Sequence, residues 1–83
     1  MRLILMDSTE LENGKAGYAD GRLWLTVVGM TLPEAAAIFF DPTKTGVIVF
    51  EYGEMRDTYE GYTVCVSLSV DSDGTISVCM VRG

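Results

Sequence analysis

The chain has few side chains of the types that enzymes use to move protons. Histidine is absent, and the two lysines, Lys15 and Lys44, lie in turn-like sequence contexts. The usual general base and the commonest metal ligand are therefore missing. A serine or cysteine nucleophile would need another base, and no glycine-rich phosphate-binding loop is present. We predict that the protein is not an enzyme and uses no cofactor or metal ion.

Two thiols are the remaining candidates for reactive or metal-binding chemistry. Cys65 and Cys79 are too few for a zinc site, which takes four ligands. In the hairpin register derived below, both thiols occupy the second face of the sheet, diagonally, with Cα atoms about 7–8 Å apart. A disulfide usually needs a shorter separation. We predict two free cysteines that act as small apolar fillers.

Acidic residues outnumber basic residues by twelve to six, for a formal net charge of −6. Binding to nucleic acid requires a basic patch, so direct nucleic-acid binding is not expected. One acidic segment, Asp71-Ser72-Asp73-Gly74, resembles the start of a calcium loop. It lacks the distal glutamate of such a loop, and a hairpin turn accounts for every residue in it.

Length and composition predict one domain, residues 1–83, with more apolar surface than its core needs. A chain of this size is marginally stable alone, and 48% of its residues are hydrophobic. We therefore expect a homo-oligomer. No apolar run approaches the roughly 18 residues that cross a bilayer, and no secretory signal is recognisable. The expected location is the cytoplasm, without membrane association.

One helix is well marked. Thr31-Leu32-Pro33-Glu34 reads as a capping box, in which Thr31 is the N-cap and Glu34 reaches back to it. The helix continues to Phe40 and is expected to end at Asp41-Pro42, because proline disfavours helical geometry in the preceding residue.

The rest of the chain alternates in the manner of strands and ends in a β-hairpin. Tyr62, Val64, Val66, Leu68 and Val70 share one face, and Ile76, Val78 and Met80 share a face on the return. Both sets point to one core only if Val70 lies opposite Ile76, Leu68 opposite Val78 and Val66 opposite Met80. The connection is then Ser72-Asp73-Gly74, with Gly74 in the left-handed region. We predict an α+β fold: one antiparallel sheet of five or six strands with one short helix.

Two regions have the composition of a binding surface. In the segment 51–62, Tyr52, Tyr59 and Tyr62 alternate with charged residues that include Arg56. The alternative is a connecting loop whose tyrosines fold back onto the core. The second face of the sheet would form an apolar patch, which is typical of interfaces. Its expected members are Trp24, Val28, Cys65, Cys79 and Val81.

The order of these features resembles small uncharacterised proteins of siphophages and prophages of Gram-positive bacteria, often encoded near tail genes. The matching segments, in chain order, are Asp7-Ser8-Thr9-Glu10-Leu11, Thr31-Leu32-Pro33-Glu34-Ala35, Phe40-Asp41-Pro42-Thr43-Lys44-Thr45 and Tyr62-Thr63-Val64-Cys65-Val66-Ser67-Leu68.

The resemblance implies a viral origin and location in the virion or in the cytoplasm of the infected bacterium. The first hypothesis is a tail-region accessory that binds itself and another protein. The second is an antagonist of bacterial defence, either an anti-CRISPR-like inhibitor or a protein that sequesters a nucleotide immune signal. A nucleotide would need an aromatic side chain for the base and guanidinium groups for the phosphates. The candidates are Trp24 or a tyrosine, with Arg2, Arg22, Arg56 or Arg82.

Overall fold

Alternation of buried and exposed side chains divides the chain into eight strands and two helices. The computed structural model describes residues 1–83. The elements are β1 (Arg2–Ile4), β2 (Glu10–Glu12), β3 (Lys15–Ala19), β4 (Arg22–Val27), α1 (Leu32–Phe39), α2 (Pro42–Thr45), β5 (Val47–Tyr52), β6 (Met55–Glu60), β7 (Val64–Val70) and β8 (Ile76–Val81).

The strands form two antiparallel sheets of four strands each. Sheet A has the order β2-β1-β5-β6, and sheet B has the order β3-β4-β8-β7. The α+β class is therefore confirmed, but the prediction of one sheet with five or six strands was wrong. The segment after Tyr52, for which the sequence left open a binding surface or a connecting loop, turns at Gly53 and returns as β6. Gly53 has φ +57°, a conformation that glycine adopts without steric cost.

The hydrophobic core lies between the two sheets and α1. Sheet A and the turn after β1 contribute leucines and Ile48, sheet B contributes the inward residues of β4 and β8, and α1 contributes Ala35 and Phe39. The thirteen clustered residues are Leu3, Leu5, Leu11, Leu23, Leu25, Val27, Ala35, Phe39, Ile48, Tyr62, Ile76, Val78 and Met80. The inward face of sheet B is thus fixed by Leu23, Leu25 and Val27, and the intervening residues of β4 point outward.

The predicted helix is confirmed as α1. Thr31 is its N-cap, the Glu34 backbone N–H donates to the Thr31 hydroxyl, and the Glu34 carboxylate accepts from the Thr31 N–H at 3.0 Å. The helix ends before Asp41, as expected. Asp41 then caps a second helix of one turn, α2, which the sequence prediction did not include. No helix of the protein is long and apolar enough to span a membrane.

The C-terminal hairpin has the predicted register near its turn and a different register further away. Val70 pairs with Ile76 and Leu68 with Val78, and Gly74 has φ +86°. Beyond Ser67 a β-bulge shifts the pairing, so Cys65 rather than Val66 lies opposite Met80. The prediction for Val66 was wrong because an alternation pattern cannot show an extra residue in one strand.

Candidate interaction surfaces

The outward face of sheet B carries both polar and apolar side chains and no acidic residue. Its members follow from the strand registers, because paired residues point to the same side of a sheet. Two of them are basic, at positions 15 and 22. The face consists of Lys15, Gly17, Ala19, Arg22, Trp24, Thr26, Val64, Ser67, Ser69, Ser77, Cys79 and Val81. In a chain of net charge −6, this face is locally positive.

Trp24 is the largest side chain on this face and is 45% exposed. Its partners in the two neighbouring strands are Gly17 and Cys79. The space above Gly17 is empty, since a Cβ built there would meet no atom within 4 Å. Cys79, in contrast, is only 1% exposed. Trp24 is therefore the largest neighbour of the buried Cys79 on this face, and the space above Gly17 is open.

The predicted apolar patch is correct in part. Trp24 and Cys79 lie together on the outward face of sheet B, and Val28 follows directly after β4. Cys65 was placed on this face incorrectly. The β-bulge turns Cys65 inward, where it packs against the core cluster beside Leu68. Burial raises the pKa of the Cys65 thiol, which favours its protonated form near neutral pH.

Tyr59, Tyr62 and Arg82 lie together in an aromatic cluster. Tyr62 is 5% exposed and forms edge-to-face contacts with two rings. The centroid distances are 6.3 Å to Tyr59 and 5.9 Å to Tyr18. The Arg82 guanidinium lies 5.2 Å from the Tyr62 centroid, within cation–π range. Burial raises the pKa of Tyr59. Tyr59 and Tyr62 thus fold back onto the core, which was the alternative to a recognition loop. Tyr18, which was not predicted as a member of the cluster, is 55% exposed.

Tyr52 and Arg56 lie on sheet A, near the β5–β6 turn. Tyr52 stacks on Phe50 with centroids 4.6 Å apart, and its hydroxyl donates to the Asp57 carboxylate at 3.0 Å. This hydrogen bond raises the pKa of Tyr52. Arg56 lies 3.7 Å from the Glu51 carboxylate. The seven predicted binding residues therefore form three groups rather than one: Trp24 with Arg22, Tyr52 with Arg56, and Tyr59 with Tyr62 and Arg82.

The Glu51 carboxylate also accepts a hydrogen bond from Arg2 Nε at 2.7 Å, and the Arg2 guanidinium forms a second ion pair with Glu10. The hydrogen bond from Arg2 lowers the pKa of Glu51. The guanidinium groups of Arg2 and Arg56 are thus neutralised by carboxylates within sheet A. Of the four arginines that could bind a nucleotide, Arg22 lies on the same sheet face as the exposed ring of Trp24, and that face carries no acidic residue.

A groove between α1 and β7 was not predicted from the sequence. Its volume is about 490 Å³. Leu32, Ala36 and Phe40 are four residues apart and form one side of it, because that spacing places them on one face of a helix. Phe40 is 59% exposed and Val66, on the opposite side, is 50% exposed. The lining residues are Leu32, Pro33, Ala36, Phe40, Cys65, Val66, Ser67 and Leu68, none of them charged.

One sequence signal could have located this groove. Phe39 and Phe40 are adjacent, and on a helix packed by one face only one of two neighbours can be buried. Phe39 is fully buried, and Phe40 therefore projects toward β7. No cluster of three or more histidine, cysteine or acidic side chains with a geometry suited to a metal ion is present.

Comparison of the chain with protein-family models, curated proteins and solved structures gives no match.

Proposed function

We propose that this chain is a non-catalytic binding protein that acts through protein–protein contact, with the groove between α1 and β7 as its main contact surface. The observation that carries the proposal is the uncharged, apolar lining of this groove. Such a lining is unusual on the surface of a chain in which 22% of residues are charged. Exposed apolar patches of this kind mark interfaces on small soluble domains.

Burial of this surface supplies a driving force of the size that protein association needs. Removing a fully exposed large apolar side chain from water stabilises a complex by about 1.5–3 kcal/mol. Phe40 and Val66 each retain half or more of their exposure, and Leu32 and Val70 are also exposed. Together they provide several anchors on one side of the molecule, in keeping with a contact built around a few apolar hot spots.

We further propose that the protein is of phage type and is a tail-region or virion accessory. The resemblance in its segment order supports this assignment, and a contact surface without catalytic groups suits a component that packs against other subunits. Its location would be the virion or the cytoplasm of the infected bacterium.

The second candidate function is antagonism of bacterial defence. The observation in its favour is the outward face of sheet B, where Arg22 lies two residues from the exposed Trp24 on a surface without acidic residues. Such a face suits a negatively charged ligand or protein surface. It would serve an anti-CRISPR-like inhibitor or a protein that sequesters a nucleotide signal, because stacking and a guanidinium contact are available side by side.

The test is quantitative mass spectrometry of purified particles from a phage that encodes the chain. We expect the wild-type protein in particles, and we expect Phe40→Ser to lower its incorporation at least about tenfold, a loss of about 1.4 kcal/mol or more. Thr58→Lys, an exposed change on β6 away from the groove, is the matched control and should be incorporated normally.

Two results would contradict the accessory role. One is absence of the wild-type protein from particles. The other is undiminished incorporation of a folded Phe40→Ser variant. Absence from particles combined with restored phage growth on a defence-bearing host would instead support the second candidate, and Trp24→Ser should then abolish that growth.

A further inference from the structure

Four strands lie at sheet edges, and one of them differs from the rest. β2, β3 and β6 each carry charged residues, which discourage pairing with another chain. β7 has seven residues, no charge and no proline, and is the longest strand of the protein. Its free edge borders the groove. An uncharged edge of this kind is a template for strand addition.

The hydrogen-bond pattern of the C-terminal hairpin determines which backbone groups of β7 are free. The Asp71 N–H donates to the Thr75 carbonyl at 2.9 Å. Backbone groups alternate in direction along an antiparallel strand, so Ser69 faces β8, whereas the N–H and C=O groups of Leu68 and Val70 point away from the sheet. The β-bulge between Cys65 and Ser67 ends this regular stretch.

We propose that β7 pairs antiparallel with β7 of a second copy of this chain, about a two-fold axis at Ser69. This proposal rests on the proposed function, since it names the occupant of the same groove. In this register Leu68 of each copy lies opposite Val70 of the other, and their outward N–H and C=O groups form the new ladder. Ser69 lies opposite Ser69 in a closely spaced pair.

The groove fits the side chains that such a partner strand provides. An added strand projects alternate residues toward the layer occupied by α1, beside Leu32, Ala36 and Phe40. From a second copy these residues are Val70, opposite Leu68 at the groove, and Leu68, opposite Val70 just beyond it, and both are apolar. Any of the other three edges would bring charged residues, such as Glu60 or Lys15, to the same uncharged boundary. Within the paired stretch from Leu68 to Val70, β7 is therefore the edge of this chain that adds no charge, and Asp71 of each copy lies beyond that stretch, opposite Ser67 of the other.

Charges at the ends of β7 favour the antiparallel arrangement. Val64 pairs with Val81, so Arg82 lies near the beginning of β7, whereas Asp71 and Asp73 follow its end. Antiparallel pairing brings the acidic end of each copy toward the basic end of the other. Parallel pairing would bring like charges together at both ends. In the antiparallel arrangement the acidic turns of the two copies lie at opposite ends of the paired strands and do not face each other, which matters for a chain of net charge −6.

The experiment is sedimentation velocity of the full chain with substitutions at the axis. We expect wild-type protein to be dimeric at about 100 μM, and Ser69→Lys to weaken dimerisation at least about tenfold, because it places like charges directly opposite. Ser69→Glu should do the same. An equimolar mixture of Ser69→Lys and Ser69→Glu should restore the dimer, since only a two-fold axis at this residue makes them complementary. Thr58→Lys, the equivalent change on the β6 edge, should remain dimeric.

A monomeric wild-type protein at this concentration would overturn the dimer. So would a folded Ser69→Lys variant that dimerises as well as Thr58→Lys, or a mixture that fails to restore association. These results are independent of the particle measurement. A monomer that is nevertheless found in particles refutes the dimer alone, and a dimer that is absent from particles refutes the accessory role alone.

Discussion

Trp24 lies directly opposite Cys79 in the ladder between β4 and β8, and the two residues differ sharply in exposure. Trp24 is 45% exposed, whereas Cys79 is 1% exposed. The other cross-strand partners of these residues, Gly17 and Ser67, are small. The indole is therefore the one large side chain among the cross-strand neighbours of the thiol.

This arrangement predicts that removal of the indole exposes the thiol. In a Cys65→Ser background, Cys79 is the one remaining cysteine and its alkylation rate can be measured directly. We expect Trp24→Ala to raise that rate at least about tenfold, because thiol reactivity depends on access as well as on thiolate content. As a control, a Cys79→Ser background reports on Cys65, whose rate should not change. An unchanged Cys79 rate would mean that another group covers the thiol.

The adjacent phenylalanines of α1 predict two opposite responses to truncation. Phe39 is fully buried, so Phe39→Ala should reduce the free energy of unfolding by about 3–5 kcal/mol. Phe40 projects into the groove, and Phe40→Ala should change the stability of the monomer by less than about 0.5 kcal/mol. Urea unfolding at low protein concentration measures both. Phe39→Leu, a milder change, keeps the comparison available if the alanine variant does not fold.

Gly14 and Gly17 lie three residues apart, and their replacement by alanine should change the stability of the fold in opposite directions. A Cβ at Gly14 would lie 2.8 Å from Leu3 Cγ, and Leu3 is fully buried. Gly14→Ala should therefore destabilise the fold by about 1–3 kcal/mol, as overpacked sites do. Gly17 faces open space on β3, and Gly17→Ala should stabilise it by about 0.4–1 kcal/mol. Equal destabilisation of both variants in thermal or urea unfolding would contradict the packing at Gly14.

Stability should fall in acid. The backbone N–H of Thr31 lowers the pKa of Glu34, the Thr43 hydroxyl lowers that of Asp41, and Arg2 lowers that of Glu51. A carboxyl group with a lower pKa in the folded state stabilises the fold above its unfolded pKa, and this contribution is lost as pH falls through the folded pKa. The urea midpoint should be nearly constant from pH 7 to about 5 and decrease below about pH 4.

Glu34→Gln provides the control for this pH dependence. Glutamine keeps an acceptor oxygen for the capping box but does not titrate. The variant should form α1 and show a smaller decrease in midpoint between about pH 5 and pH 3 than the wild-type chain. A wild-type midpoint that stayed constant or rose in that interval would contradict the assignment of these carboxyl groups.

Local signals predicted the parts of the fold that depend on neighbouring residues. The capping box at Thr31 and Glu34 located the start of α1, and the turn ending at Gly74 set the register from Val70 to Leu68. These features are decided within a few residues of chain. The number of sheets is not, because Val47 to Glu60 reads as strand and loop until its pairing with β1 is known.

The binding residues were predicted less well, for a related physical reason. Tyrosines next to charges in a sequence do not show whether their rings meet solvent or the core, and Tyr62 proved to be buried. The β-bulge moved Cys65 to the opposite face from the one predicted. The groove between α1 and β7 joins segments more than twenty residues apart along the chain, which an alternation pattern cannot bring together.

The uneven distribution of charge among the four edge strands limits how far association can proceed. An unprotected edge on each sheet, or at both ends of one sheet, would let copies add indefinitely and form fibrils. Here three edges carry charged residues and β7 does not. In the proposed dimer β7 is covered on both molecules and no comparable edge remains, so that assembly would be closed and would not continue into a polymer.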